Sequence, residues 1–117
     1  THIDSTIVPL REGLAICNKP RVKSKRYLPP CMKDWEIIWV EDVTAQVFYQ
    51  YPYASKWIGL NMLSINDHTV IVDTAQLELS TILEKKGFTV IPHTLRHSRT
   101  LGGGHHCVTL DTWREND

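Results

Sequence analysis

Residues 5–40 and 58–91 read as one plan written twice: strand, turn, strand, helical segment, strand. A ββαβ unit of this length cannot bury its apolar face alone. Repeats with this period therefore stack side by side or close radially, as in solenoids and propellers. In the first copy, Ile7 and Leu10 lead into Arg11-Glu12-Gly13, and Leu14-Ala15-Ile16-Cys17 follow. A three-residue connection ending in Gly is a hairpin signal. Asn18-Lys19-Pro20 closes the second strand. Residues 21–34 are polar and basic, so any helix there is short or broken at Pro29-Pro30. Trp35 to Val40 is rich in strand formers. In the second copy, Trp57 to Ile65 is expected as a strand and Asn66-Asp67 as a turn. Val70-Ile71-Val72 is a continuous apolar run, as in a strand buried on both faces. Asp73 is expected to cap the next helix, with Gln76 in capping-box position. Ala75, Leu79, Ile82 and Leu83 form a stripe at helical spacing. Gly87 is a stop signal, and Phe88 to Ile91 is a strand ended by Pro92. Between the copies, residues 41–56 hold Phe48, Tyr49, Tyr51 and Tyr53 and read as a long connection packed by its aromatics.

A radial arrangement would put the loops before each unit at equivalent places around an axis. His2-Ile3-Asp4 and the Gly102 to Cys107 turn would then face one another. The second of these belongs to LGGGHHCVTLD, residues 101–111. A thiol behind a Gly-rich turn and beside imidazoles is a candidate nucleophile. The thiolate is the reactive form, so a neighbour must take the proton or lower the pKa. The glycines would permit positive φ and let a planar substrate approach the backbone. A β-prone run follows the cysteine. Other readings stay open on the motif alone. Cys107 could be a buried, inert cysteine. A metal site with His93 and His97 matches no zinc spacing. The glycines have neither the lysine nor the spacing of a phosphate loop.

Composition narrows the classes. With 117 residues, the chain is one small domain or a piece of a larger one. Thirteen basic and thirteen acidic residues cancel, so nucleic acid is not an expected partner. No apolar run approaches the ~18 residues of a membrane span, so no membrane partner is expected either. Cys17, Cys31 and Cys107 are odd in number and far apart. That argues against a disulfide framework and for a reducing compartment, with the cytoplasm as the expectation. The chain opens on Thr1 without a Met and ends just after a strand-like run, so both ends are expected to be cut.

Three segments, in order, resemble one family: THID…PLREGLAICNKPR, then ASKWIGLN, then RHSRTLGGGHHCVTLD. They are similar to the arginine-dependent amidinotransferases, of which the glycine and inosamine-phosphate amidinotransferases are the types. The resemblance runs over nearly the whole chain and would make it the C-terminal part of a single catalytic domain. It implies an α/β fold, part of a five-bladed, pseudo-symmetric propeller of ββαβ modules, with two modules at residues 1–40 and 57–111. It implies transfer of the amidino group of L-arginine to an amine acceptor through a covalent amidino-cysteine, with ornithine released and no cofactor or metal. Cys107 would be the nucleophile and His2 the general acid and base. Asp4 would hold the guanidinium. Arg21 would grip the substrate carboxylate, with Ser55 beside it. His106 would be structural support. A homodimer is a possible assembly.

The sequence departs from the family at several positions. Ala54 stands where glycine amidinotransferase has a second serine, His105 where a Phe is usual, Trp113-Arg114 where two arginines are usual, and Thr1 where a methionine lies near the acceptor. The last change favours an acceptor larger than glycine, as in antibiotic or guanidinium-toxin biosynthesis. The family's triad aspartate would lie upstream of His2, so these residues alone are expected to be inactive. Two rivals remain from other classes. One is a guanidine-modifying hydrolase of the arginine deiminase or dimethylarginine hydrolase kind. The other is an inactive binding module of the same fold.

Overall fold

A computed structural model describes residues 3–43 and 55–115. His2 and the four aromatics of the expected central connection lie outside the described residues. The rest forms two small three-stranded sheets of the same design. In the first, β1 (Ile7–Arg11), β2 (Leu14–Asn18) and β3 (Glu36–Val40) lie in that order, and the short helix α1 (Lys19–Val22) follows β2. In the second, β4 (Leu63–Asn66), β5 (Thr69–Asp73) and β6 (Thr89–His93) lie in that order, with α2 (Leu77–Lys85) crossing between β5 and β6. In each sheet the first pair is antiparallel and the second parallel. A hairpin can close the antiparallel pair, whereas a parallel pair needs a crossover segment.

Strand alternation divides the core. Val8, Leu10, Leu14, Ile16, Ile38 and Val40 point to one side of the first sheet, where they meet Val70, Val72, Leu79 and Leu83 from the second. Ala15 and Cys17 point to the other side, against Val22, Leu28 and Met32. The middle strand β2 is therefore buried along its whole length. Burying one such side chain contributes about 1.5–3 kcal/mol, against about 0–1 for an exposed ion pair such as Lys19–Glu41. Apolar packing holds the two sheets together. Ser64 Oγ donates to the Leu10 carbonyl at 2.8 Å. The Arg11 guanidinium lies 4.7 Å over the Phe88 ring.

Several local expectations change. The first hairpin turns on two residues, Glu12-Gly13, because Arg11 already pairs with Leu14. Residues 57–65 are not one strand. Lys56–Leu60 is a 3-10 helix started by Ser55, whose hydroxyl accepts the Trp57 N–H, and β4 begins only at Leu63. No capping box forms. Asp73 still belongs to β5, its carboxylate accepts the Ala75 N–H at 2.8 Å, and the helix begins at Leu77. Val70 and Val72 are fully buried but Ile71 is only half-buried, so β5 alternates and is not covered on both faces. Pro92 lies within β6, where an edge strand tolerates a missing donor. The run after Cys107 is not a strand. Gly87 does end α2, with φ of +90°.

Each sheet is preceded by a 3-10 turn, Ile3–Ser5 before β1 and Lys56–Leu60 before β4, and these two turns pack against each other. A last short helix, α3 (Ser98–Leu101), packs on the second turn. Among the described residues no helix is long and apolar enough to cross a membrane.

Candidate active site

Three separate loops converge where those turns meet. Asp4 comes from the first 3-10 turn and Asn61 from the end of the second. Cys107 comes from the turn that follows α3. Cys107 Sγ donates to Asp4 Oδ2 at 3.1 Å, and His106 Nδ1 lies 3.3 Å from the same oxygen. The Cys107 N–H donates to Asn61 Oδ1 at 3.0 Å. Asp4, His106 and Cys107 border an open cleft of about 710 Å³, whose wall also includes Arg96, His97 and Gly103.

The three glycines serve two different needs. Gly102 ends α3 with φ of +79°, a conformation that costs any residue with a Cβ. A Cβ on Gly103 would lie 3.1 Å from the Cβ of Cys107. A Cβ on Gly104 would lie 2.6 Å from the Cβ of Asn61 and 2.8 Å from its carbonyl oxygen. Only one of the three uses positive φ. The other two make room for neighbouring protein atoms, whereas the motif alone suggests room for substrate.

The electrostatics are set by the shared carboxylate. Partial burial pushes the Asp4 carboxyl up, but the Cys107 thiol, the nearby Asn61 amide and His106 together outweigh it and hold it below its ordinary value. Burial and then the Asp4 carboxylate push the Cys107 thiol up, only partly offset by the Gly104 backbone and Asn61. The cysteine is thus a thiol at neutral pH, its S–H donated to the Asp4 carboxylate. Cys17 is also protonated, pushed up to about 11 by burial. Behind the turn, buried His105 sits with its Nε2 3.2 Å from His93 Nδ1, and burial lowers its pKa. Among the described residues no three of His, Cys, Asp and Glu converge as metal ligands.

Of the residues expected from sequence, Cys107 and Asp4 meet. Arg21 does not line the cleft. Its Nη1 donates to Ser5 Oγ at 3.2 Å and Thr6 Oγ1 at 3.0 Å, which ties α1 to the segment bearing Asp4. Ser55 also lies off the cleft wall, at the start of the second 3-10 turn. Asn61 was not anticipated. A polar residue inside the apolar run Trp57 to Ile65 was the available signal.

The chain is 45% identical over 115 residues to inosamine-phosphate amidinotransferase 1 of Streptomyces griseus, covering 97% of this chain and 33% of that protein. A solved structure of an inosamine-phosphate amidinotransferase from the same organism superposes with a TM-score of 0.91 at 43% identity, over all of this chain and 34% of that one. Over nearly its whole length the chain is thus similar to amidinotransferases. A second solved amidinotransferase, from the saxitoxin biosynthetic pathway of Microseira wollei, superposes at 0.89 with 31% identity, again over all of this chain and 34% of that one. More distant is the L-arginine:L-lysine amidinotransferase of Pseudomonas savastanoi pv. phaseolicola, 29% identical over 97% of this chain and 30% of that protein. No protein-family model matches. The chain spans about a third of the length of the curated relatives it matches.

One prediction follows from the carboxylate shared in this site. Asp4→Asn removes the anion that raises the Cys107 thiol. At neutral pH, alkylation of Cys107 by iodoacetamide should then be faster than in wild type, because more of it is thiolate. Mass mapping of the Cys107 peptide, in a Cys31→Ser background because Cys31 is exposed, checks this. Slower alkylation would show that Asp4 does not hold the thiol proton.

Proposed function

We propose that this chain is the nucleophile-bearing part of an amidinotransferase catalytic domain that moves the amidino group of L-arginine to an amine acceptor. Cys107 forms the covalent intermediate and ornithine is the first product. The observation that carries this reading is the 3.1 Å contact between Cys107 Sγ and Asp4 Oδ2, made across 103 positions at the edge of a cleft. An anion beside a thiol suits a cationic substrate. The arriving guanidinium pairs with Asp4 through charge-assisted hydrogen bonds, and the field that kept sulfur protonated is neutralised. The thiol gives its proton to His2, the thiolate attacks the guanidinium carbon, and fixing that carbon above sulfur supplies the proximity. The bond to the ornithine nitrogen breaks as that nitrogen takes a proton from His2. The acceptor amine next attacks the amidino carbon and gives its proton to His2. The C–S bond breaks and the thiolate is restored. The family resemblance assigns the substrate carboxylate to Arg21, with Ser55 beside it, although neither lines the cleft, and His106 supports Asp4. No step calls for a cofactor or metal.

The two ββαβ units, at residues 1–40 and 57–111, are two modules of a five-bladed propeller in this reading. The matched relatives, two of them named for inosamine phosphate and saxitoxin biosynthesis, favour a biosynthetic acceptor larger than glycine. Product analysis of the complete enzyme with labelled arginine tests the reaction. Ornithine and a guanidinylated amine are expected. Citrulline would mean that water attacks the intermediate and would make the protein a hydrolase.

A further inference from the structure

Asn61 is 2% exposed and sits between two fully buried core residues, Leu60 and Met62. Its backbone is bent into an inverse γ-turn, with φ of −79°, ψ of 64° and the Met62 N–H donating to the Leu60 carbonyl at 2.8 Å. The bend aims the side chain out of the core and into the nucleophile turn. Asn61 then holds that turn twice, accepting the Cys107 N–H at its Oδ1 (3.0 Å) and the His106 N–H at its backbone carbonyl (3.4 Å). Gly104 lies so close that it leaves no space for a Cβ beside Asn61. The carboxamide nitrogen, in contrast, is buried and completes no hydrogen bond among the described residues. A buried donor without an acceptor is costly and calls for a reason.

We infer that Asn61 is a positioning residue for Cys107: its carboxamide oxygen fixes the nucleophile's backbone, and its unpartnered carboxamide nitrogen serves the thiolate form of the sulfur. In the resting state the sulfur is a donor, engaged with Asp4, and offers the amide nothing. Once the thiol ionises, sulfur becomes an acceptor, and the Asn61 N–H group has its partner. The direction in which Asn61 acts agrees: it lowers the pKa of both the Cys107 thiol and the Asp4 carboxyl. The inference rests on the reading of Cys107 as nucleophile, but its test does not need turnover.

The test uses the complete enzyme in a Cys31→Ser background. Asn61→Asp keeps the oxygen that Cys107 N–H needs and replaces the donor with an acceptor. Asn61→Ala removes both. The rate of Cys107 alkylation by iodoacetamide is followed against pH by peptide mass mapping, alongside thermal unfolding, kcat and KM for arginine. Both variants should move the alkylation midpoint to higher pH, and kcat should fall about tenfold or more (~1.4 kcal/mol), by more than any change in KM. A residue that merely packed would lower the unfolding temperature and leave the midpoint alone. Folded variants with a wild-type midpoint overturn the inference, whatever their turnover. If Asn61→Ala does not fold, Asn61→Asp decides. If neither folds, Asn61 is structural and the thiolate role is lost. A wild-type enzyme that alkylates as expected yet transfers no amidino group would instead refute the proposed reaction.

Discussion

Cys107→Ser in the complete enzyme should abolish turnover, with a loss on the order of 10⁴-fold or more. A serine hydroxyl is a far weaker acid than a thiol, and neither Asp4 nor the Asn61 amide is placed to ionise it. The complementary measurement is trapping. Wild-type enzyme given arginine without an acceptor should accumulate an amidino adduct, visible by intact mass and mapped to Cys107. The other two cysteines serve as internal controls. Cys17 is buried and pushed up to about 11, so it is unreactive at neutral pH. Cys31 is exposed, on the short 3-10 turn Pro30–Met32, and does not line the cleft. An adduct on either of them, or full activity in Cys107→Ser, would end the covalent reading and favour a binding module that only keeps the fold.

The second large effect is expected at Gly104. An added methyl would lie 2.6 Å from Asn61 Cβ, 2.7 Å from its Oδ1 and 2.8 Å from its carbonyl oxygen. Swinging the carboxamide away would relieve only the contact with Oδ1, since Cβ and the carbonyl oxygen move only with the backbone. Either Asn61 or the Cys107 turn must shift, and overpacking of this kind costs about 1–3 kcal/mol in stability. Misplacing sulfur by ~1 Å costs about 100-fold in rate. Gly104→Ala should therefore lower turnover by about that factor and depress the unfolding temperature. Gly102→Ala is the control. Its penalty is conformational, about 1 kcal/mol or slightly more, with nothing within 4 Å of the new methyl. Turnover by Gly104→Ala at the wild-type rate would show that Asn61 and the turn are not in contact.

Much of the fold was legible because its signals are local. Leu14 to Cys17, Ile38 with Val40, and Val70 with Val72 were expected as strands, and the core takes its residues from them. Leu79 and Leu83 were expected on the inner face of a helix, and Gly87 at its end, as found. The errors lie where a short-range pattern admits two outcomes. Residues 57–65 are apolar enough for a strand, but the hydroxyl of Ser55 starts a 3-10 turn there. Asp73 and Gln76 have capping-box spacing, but Asp73 ends the strand and the helix starts only at Leu77, three residues too late for Asp73 to be its N-cap.

The sequence by itself determined the two ββαβ units, the family resemblance and the presence of a cysteine behind three glycines, because each is a pattern among neighbouring residues. The repeat already set Asp4 opposite that cysteine, but the contact itself and the part of Asn61 were decided only in three dimensions. Asp4 and Asn61 reach it from 103 and 46 positions away, because two 3-10 turns that precede separate sheets pack side by side. The purposes of Gly103 and Gly104 are equally non-local. They are small because the Cys107 side chain and Asn61 occupy the space a methyl would need, and steric exclusion is a property of the packed structure.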